Sequence, residues 1–377
     1  MSSALPGSRV LQISNYAPPH AGGIEKVAAR IFEEMKKRGV AIRWLMSDVP
    51  KLPPEPDMVR VPVWNQLEDR LGVPAFIPKP SAYLRLWREV KACDLVHIHD
   101  GYYLTCASAA LFARLLGKKI MITVHIWDVP YKNPLIQLVQ KAVLRCIAMP
   151  VIRSVDSTVT INRPIFRTLA ALGKNPRYIA NGVDPFFVSG RVPVPVAELR
   201  ARHGLPLDRP VVIFAARYNT KKGLPIVRDI AHALPGTTFV LCGSGPASES
   251  PDNWQLPNVV NFGWTKSDKL KELFSCSDLF LLPSRGEGFP LAIQEAMSCG
   301  LPCAVFAETW DALDDAREFF VILDDFPTPA DAVRAFFAQP RTQAYHGEVA
   351  AYAQTRWTVE TMMEAYVDVY RATVSSS

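Results

Sequence analysis

Short apolar runs recur along the chain, each followed by a polar or glycine-bearing loop and then by apolar positions at helical spacing. RVLQIS (9–14) predicts an opening strand. The loop NYAPPHAGGIEK follows it, and VAARIFEEMKKRG predicts a helix closing on basic residues and Gly39. AIRWLMS, CDLVHIHD (93–100) and KKIMITVHIWD (118–128) predict further strands, with a helix at about 104–116. Residues 134–154 predict an amphipathic helix carrying Lys141, Arg145 and Arg153, and STVTIN and RYIANGVD predict two more strand ends. The proline-rich stretch 50–80 is expected to wander over the surface.

RVPVPV (191–196) reads as a connector between domains, because alternating prolines suit neither a helix nor a central strand. A second series follows with strands in PVVIFAARY, TTFVLCGSG, VVNFGW and DLFLLPS. Strands alternating with helices imply parallel, doubly wound sheets. The expected fold class is therefore α/β, with two Rossmann-like domains facing a cleft and ligands at the C-terminal ends of the strands. Residues 1–190 form the first domain and 191–357 the second, with a terminal helix at 358–377 packing back on the first.

Composition is that of a globular protein: 377 residues, 49% hydrophobic and 21% charged. Neither a signal peptide nor a membrane span is visible. Seven cysteines without paired spacing predict reduced thiols in a cytoplasmic protein. Cys299 and Cys303 lack a second Cys/His pair, so no metal is expected. Charge is uneven: residues 1–190 carry 25 Lys/Arg against 14 Asp/Glu, and residues 191–377 carry 17 against 22. A basic first half suggests an anionic partner.

The chemistry concentrates in RGEGFPLAIQEAMSCG, where Glu287 and Glu295 stand on an otherwise apolar run. Pro290 suits a helix start and Gly300 its end, placing Glu287 in the preceding loop and Glu295 on the second turn. The helix N-terminus offers free N–H groups to a phosphate or a hydroxyl-rich ligand. Glu287 suits sugar hydroxyls and Glu295 a vicinal diol such as a ribose. In ARYNTKKG (216–223) two cations after a strand end suit a diphosphate and the charge it gains on leaving. Gly22 and Gly23 let backbone N–H groups approach a ligand between the first strand and helix. LCGSGP reads as a structural glycine turn. Trp264 in NFGW suits either stacking on a ring or plain packing. His97 and His99 share one strand face and read as packed or loop-supporting.

E-G-F-P-L-A-I-Q-E-A-M-S-C-G resembles the glutamate-x7-glutamate signature of the family-4 retaining glycosyltransferases, which have the GT-B fold. GGIEK, DLVHIHD, ITVHIWD, NGVD, ARYNTKKG, LCGSGP and NFGW follow in the family's order over nearly the whole chain. The resemblance implies transfer of a sugar from a UDP- or GDP-linked donor, with retention and without a metal. The acceptor would be a sugar or lipid-linked hydroxyl, in polysaccharide or glycoconjugate biosynthesis. It assigns Arg217 and Lys222 to the diphosphate, with Lys221 as a neighbour that competes for the role, and His125 to the donor sugar at the reaction centre. Glu287 positions that sugar; Phe289, Pro290, Leu291 and Trp264 join the donor contacts, and His99 and Asp128 are assigned to the acceptor side. No nucleic-acid partner is implied. The basic first domain and the 134–154 helix predict peripheral contact with an anionic membrane at its inner face.

The chain departs from the family after VF (305–306), where AETWDALDDAREFFVILDD replaces a glycine-rich stretch and leaves the donor-sugar environment open. A same-fold phosphorylase would need a pyridoxal lysine, for which there is no context, and an epimerase would lack the ordered Arg-Lys and paired-glutamate set. A non-catalytic binder of membrane or nucleic acid would not need Arg217, Lys222, Glu287 and Glu295 together.

Overall fold

Seven strands build the first sheet: β1 (Arg9–Ile13), β2 (Ala41–Ser47), β3 (Met58–Val61), β6 (Leu95–His99), β7 (Lys119–Val124), β8 (Ser157–Thr160) and β9 (Arg177–Tyr178). Their order is β3-β2-β1-β6-β7-β8-β9, all parallel. A two-stranded antiparallel ribbon, β4 (Val63–Trp64) with β5 (Ile77–Pro78), hangs off the chain after β3. The second sheet runs β12-β11-β10-β13-β14-β15, also parallel. Its strands are β10 (Val211–Ala215), β11 (Thr238–Cys242), β12 (Val259–Gly263), β13 (Leu279–Leu282), β14 (Cys303–Val305) and β15 (Phe320–Ile322).

This computed structural model describes residues 7–18, 23–51, 53, 55–66, 76–127, 134–313, 316–339 and 341–376. They divide into one unit of residues 1–180 with 360–377 and another of residues 181–359. Central strands are buried along their whole length, as a sheet covered by helices on each face requires. Leu11, Ile13, Val96, Ile98, Ile120 and Ile122 anchor the first core.

In each unit the strand order reverses beside the first strand, between β1 and β6 and between β10 and β13. At such a switch point the connecting loops diverge to opposite faces and leave a crevice beyond the C-terminal strand ends. The loops of interest are thereby fixed: those after β6 and β7 in the first unit, and those after β10 and β13 in the second.

Three sequence expectations change. The stretch 50–80 holds β3, which adds an edge strand to the first sheet beside β2. RVPVPV is not a free connector, because Arg191 Nε donates to the Cys299 carbonyl at 2.9 Å and Val192 N to Ser275 Oγ at 3.0 Å, all within the second unit. The division falls earlier, between Ala180 and Asn181. The 134–154 helix is interrupted: Pro134–Val143 and Met149–Ser154 flank a π turn, Leu144–Ala148, with Met149 N bonded to the Leu144 carbonyl. Pro150 has no N–H to offer the Cys146 carbonyl, and the widened turn sits where that bond would be lost.

The helix Val359–Ser375 belongs almost wholly to the first unit. Glu360 pairs with Arg38, and Thr373 donates to Ser157 Oγ at 2.7 Å. No helix among the described residues is long and apolar enough to cross a membrane.

Candidate active site

In the second unit, β10 leads into Arg217, Tyr218 and Asn219, and then a tight turn at Thr220–Lys222. Asn219 Oδ1 caps the turn by accepting from Lys222 N at 2.9 Å. Gly223 closes it with φ of 77°. A Cβ there would stand 2.0 Å from the Pro283 carbonyl, so only glycine lets this loop lie against the end of β13. Arg285 N donates to the Lys221 carbonyl at 3.3 Å, which ties the two loops together.

That contact brings Lys222 to Glu287. Lys222 Nζ lies 2.7 Å from Oε1 and 2.9 Å from Oε2, and the two side chains are 20% and 9% exposed. The helix Leu291–Ser298 begins after Pro290, which caps it with extended geometry. Phe289 is buried edge-on against Trp357 at 5.9 Å. Leu291 and Glu295 are half-buried on the first two turns. Gln294, fully buried, donates to the Asn181 carbonyl and pins the helix from behind.

Under the Arg217 loop, Gly243 and Gly245 leave no room for a side chain: a Cβ would come within 1.9 Å of the Ala216 carbonyl and 2.3 Å of the Tyr218 carbonyl. LCGSGP is thus a packing turn. Trp264 is 70% exposed, which removes packing as the account of it.

The segment after VF forms a short helix, Ala307–Leu313. Its Glu308 accepts from Gly286 N at 3.0 Å, and Asp324 accepts from Ala307 N at 2.8 Å. Arg285 lies over the Phe306 ring at 4.0 Å. Where the family pattern has a glycine-rich stretch, carboxylates and a stacked guanidinium hold the Glu287 loop here. Sequence reasoning passed over Glu308 and Asn219. Their signal was faint: one acidic residue in a helical run, and one asparagine before two lysines.

The first unit offers different chemistry. Asp100 ends β6 with φ of 63°, and its Oδ1 accepts from His125 N at 2.7 Å and Ile126 N at 3.3 Å. The turn after β7 is set by that carboxylate. His125 Nε2 faces His99 Nδ1 at 2.9 Å, with the rings stacked at 5.2 Å. Behind them His97 bonds Tyr370 OH and Thr123 Oγ1, each at 2.8 Å, and Tyr366 OH meets Thr123 Oγ1 at 3.2 Å. Tyr366 and Tyr370 come from the terminal helix.

His97 and His99 are 0% exposed and His125 2%. Burial, reinforced by His125, lowers the His97 pKa to about 3, and burial alone does the same for His125. His99 is pulled well below its ordinary value by burial and then by its two neighbours. All three imidazoles are neutral at physiological pH. Burial, opposed by the two backbone N–H bonds and aided by Glu25, raises the Asp100 carboxyl to about 7.

His99 therefore sits behind His125, out of solvent, the reverse of what an acceptor contact requires. Asp128 and Gly22 lie outside the described residues. Gly23 opens the helix Gly23–Lys37, and a Cβ on it would meet nothing within 4 Å, so packing does not demand glycine there. No group of three His, Cys, Asp or Glu side chains among the described residues could hold a metal ion.

The family model described as glycosyl transferases group 1 matches residues 195–309, and that described as glycosyltransferase family 4 matches residues 21–186. An alpha-D-kanosaminyltransferase of Streptomyces kanamyceticus is 26% identical over 359 residues, 85% of this chain and 92% of the other. An alpha-galactosylglucosyldiacylglycerol synthase of Streptococcus pneumoniae is 24% identical over 300 residues, 74% and 77% of the two chains. The fold is also that of a sucrose-phosphate synthase from Thermosynechococcus elongatus, at TM-score 0.73 and 18% identity over 98% of this chain and all of the other.

Proposed function

The chain belongs to the group 1, family 4 glycosyltransferases, retaining enzymes of GT-B fold, and on that premise we propose which residues carry the transfer. The observation that carries the proposal is the Lys222–Glu287 pair at the switch point of the second sheet. A half-buried ammonium held by both oxygens of one carboxylate is preorganised for an anion without being an uncompensated charge. When the donor diphosphate arrives, Lys222 turns to the phosphate together with Arg217. Glu287 is released to the hydroxyls of the transferred sugar. Glu295 takes the ribose, Phe289, Pro290 and Leu291 line the sugar, and Trp264 stacks on the base of a UDP- or GDP-linked donor.

As the anomeric bond breaks, Arg217, Lys222 and the N-terminus of the helix Leu291–Ser298 stabilise the departing diphosphate. Glu287 steadies the positive charge on the sugar. His125 is assigned to the sugar, and Gly22 and Gly23 of the GGIEK stretch to donor contacts through their backbone. The acceptor hydroxyl attacks from the face the diphosphate leaves and gives its proton to a phosphate oxygen, which preserves the anomeric configuration.

A lipid-linked acceptor at an anionic membrane is favoured by one observation. The helix Pro134–Val143 leaves Leu138 and Val139 65% and 55% exposed, and Lys141 and Arg145 beside them are exposed too. Apolar side chains rimmed by cations suit a membrane surface. Sedimentation with liposomes should show binding that requires anionic lipid.

The deciding experiment incubates the protein with a panel of nucleotide sugars and follows donor hydrolysis and thermal stabilisation. One donor should stabilise the wild type and be turned over, while Glu287→Ala folds and is inactive. Transfer retained by that variant would overturn the site.

A further inference from the structure

Between His99 Nδ1 and His125 Nε2 lies one hydrogen, and each ring is neutral. Two arrangements exist. In the first, His125 donates from Nε2; His99 must then carry its own proton on Nε2, an atom with no hydrogen-bond partner among the described residues and no solvent. In the second, His99 donates from Nδ1, and the orphan at Nε2 is only a lone pair. A buried N–H without an acceptor is rarer and costs more than an under-used acceptor. The bond made by one ring nitrogen decides where the other ring keeps its proton. The second arrangement puts the proton of His125 on Nδ1, which unlike His99 Nε2 is not among the fully buried polar atoms without a partner, so this N–H reaches solvent where that of the first arrangement would be sealed in.

We propose that His99 is a positioning residue that locks His125 in the Nδ1–H tautomer, so that His125 presents a neutral N–H donor, and not a base, to the transferred sugar. The last clause rests on the assignment of His125 to that sugar; the tautomer itself does not. Its supports are built from afar. Thr123 and Tyr370 hold the ring of His97, which packs on His99 with centroids 4.5 Å apart, and Asp100 fixes the backbone of His125. A neutral donor strengthens its bond as charge grows on the oxygens around the breaking anomeric bond, without taking a proton from the acceptor.

The test uses the full chain labelled with ¹⁵N at histidine. Two-bond ¹H–¹⁵N correlations, assigned by the loss of signals in His125→Gln, read the protonated nitrogen directly. Protonated Nδ1 and bare Nε2 on His125 are expected, and a proton on His125 Nε2 overturns the lock. In activity, His99→Leu removes the N–H facing His125 and should lower kcat by about 10–100-fold with KM nearly unchanged. His99→Asn restores an N–H near the Nδ1 position and should recover most of the loss. Equal losses in the two variants would also overturn the lock. The expected tautomer with transfer undiminished in His125→Gln would overturn instead the assignment of His125 to the sugar.

Discussion

The two sheets reverse their order at equivalent places, yet they equip their switch points in opposite ways. The second unit keeps its charges: Lys222 and Glu287 paired, Arg217 exposed, Glu308 and Asp324 on backbone N–H groups. The first unit removes them. Three imidazoles are held neutral by burial, and the one carboxylate at the strand end is raised to about 7. On the proposed function, the difference is a division of labour. A leaving diphosphate needs mobile counter-charge, whereas orientation of a neutral sugar needs fixed donors in a dry setting. A charge in the first setting would be expensive, and a neutral donor in the second would be too weak.

Breaking the charged side should have the largest effect. Glu287→Ala is expected to lower kcat by about 10²–10³-fold or more, with the thermal unfolding midpoint little changed, measured by initial rates and calorimetry. The comparison is sharpened by glycine. Gly223→Ala sets a Cβ against the Pro283 carbonyl and strains a φ of 77°, and should cost about 1–3 kcal/mol in urea unfolding. Gly23→Ala meets open space and should be neutral or slightly stabilising, while weakening donor binding.

The neutral side is tested by acid. For His97 and His125 the folded pKa is about 3 against about 6.5 unfolded, so the unfolded chain binds protons first as pH falls. Stability should be intact above about pH 6.5 and decline toward pH 3. Asp100 works the other way, since its raised pKa makes the folded state hold a proton that the unfolded state releases between about 4 and 7. Asp100→Asn should therefore steepen the acid-side loss in melts taken between pH 7 and pH 4. The smallest effect is expected at Trp264. Its substitution by Ala should weaken donor affinity by about tenfold at most and leave kcat alone, read by titration calorimetry.

The charged site was legible in the sequence because its parts are local. ARYNTKKG and the Glu287–Glu295 run each lie on one loop and one helix, and Pro290 marks where that helix starts. The partners of His125 were not legible. His99 reaches it through the register of two parallel strands, with His99 opposite Thr123, and Tyr370 arrives from the far end of the chain. Strand alternation put His97 and His99 on one face but said nothing of what lay above that face. The prolines of RVPVPV suggested freedom, while the hydrogen bonds of Arg191 and Val192 that remove it involve residues far along the chain. Short strands also escape pattern reading: β3 among prolines, and β14 and β15 of three residues each.

The placement of Tyr366 and Tyr370 has a consequence for how the enzyme is made. The ribosome synthesises the whole of residues 181–359 before it reaches the helix that covers His97. Until then the nascent first unit holds its histidines with one wall missing. A translation product interrupted before Tyr366, even one carrying every residue of the Arg217 and Glu287 loops, would lack the tyrosines behind His97. The wall behind His97 is thus closed only once Tyr366 and Tyr370 have been made, and a chain that stops before them cannot hold the imidazoles as the longer chain does.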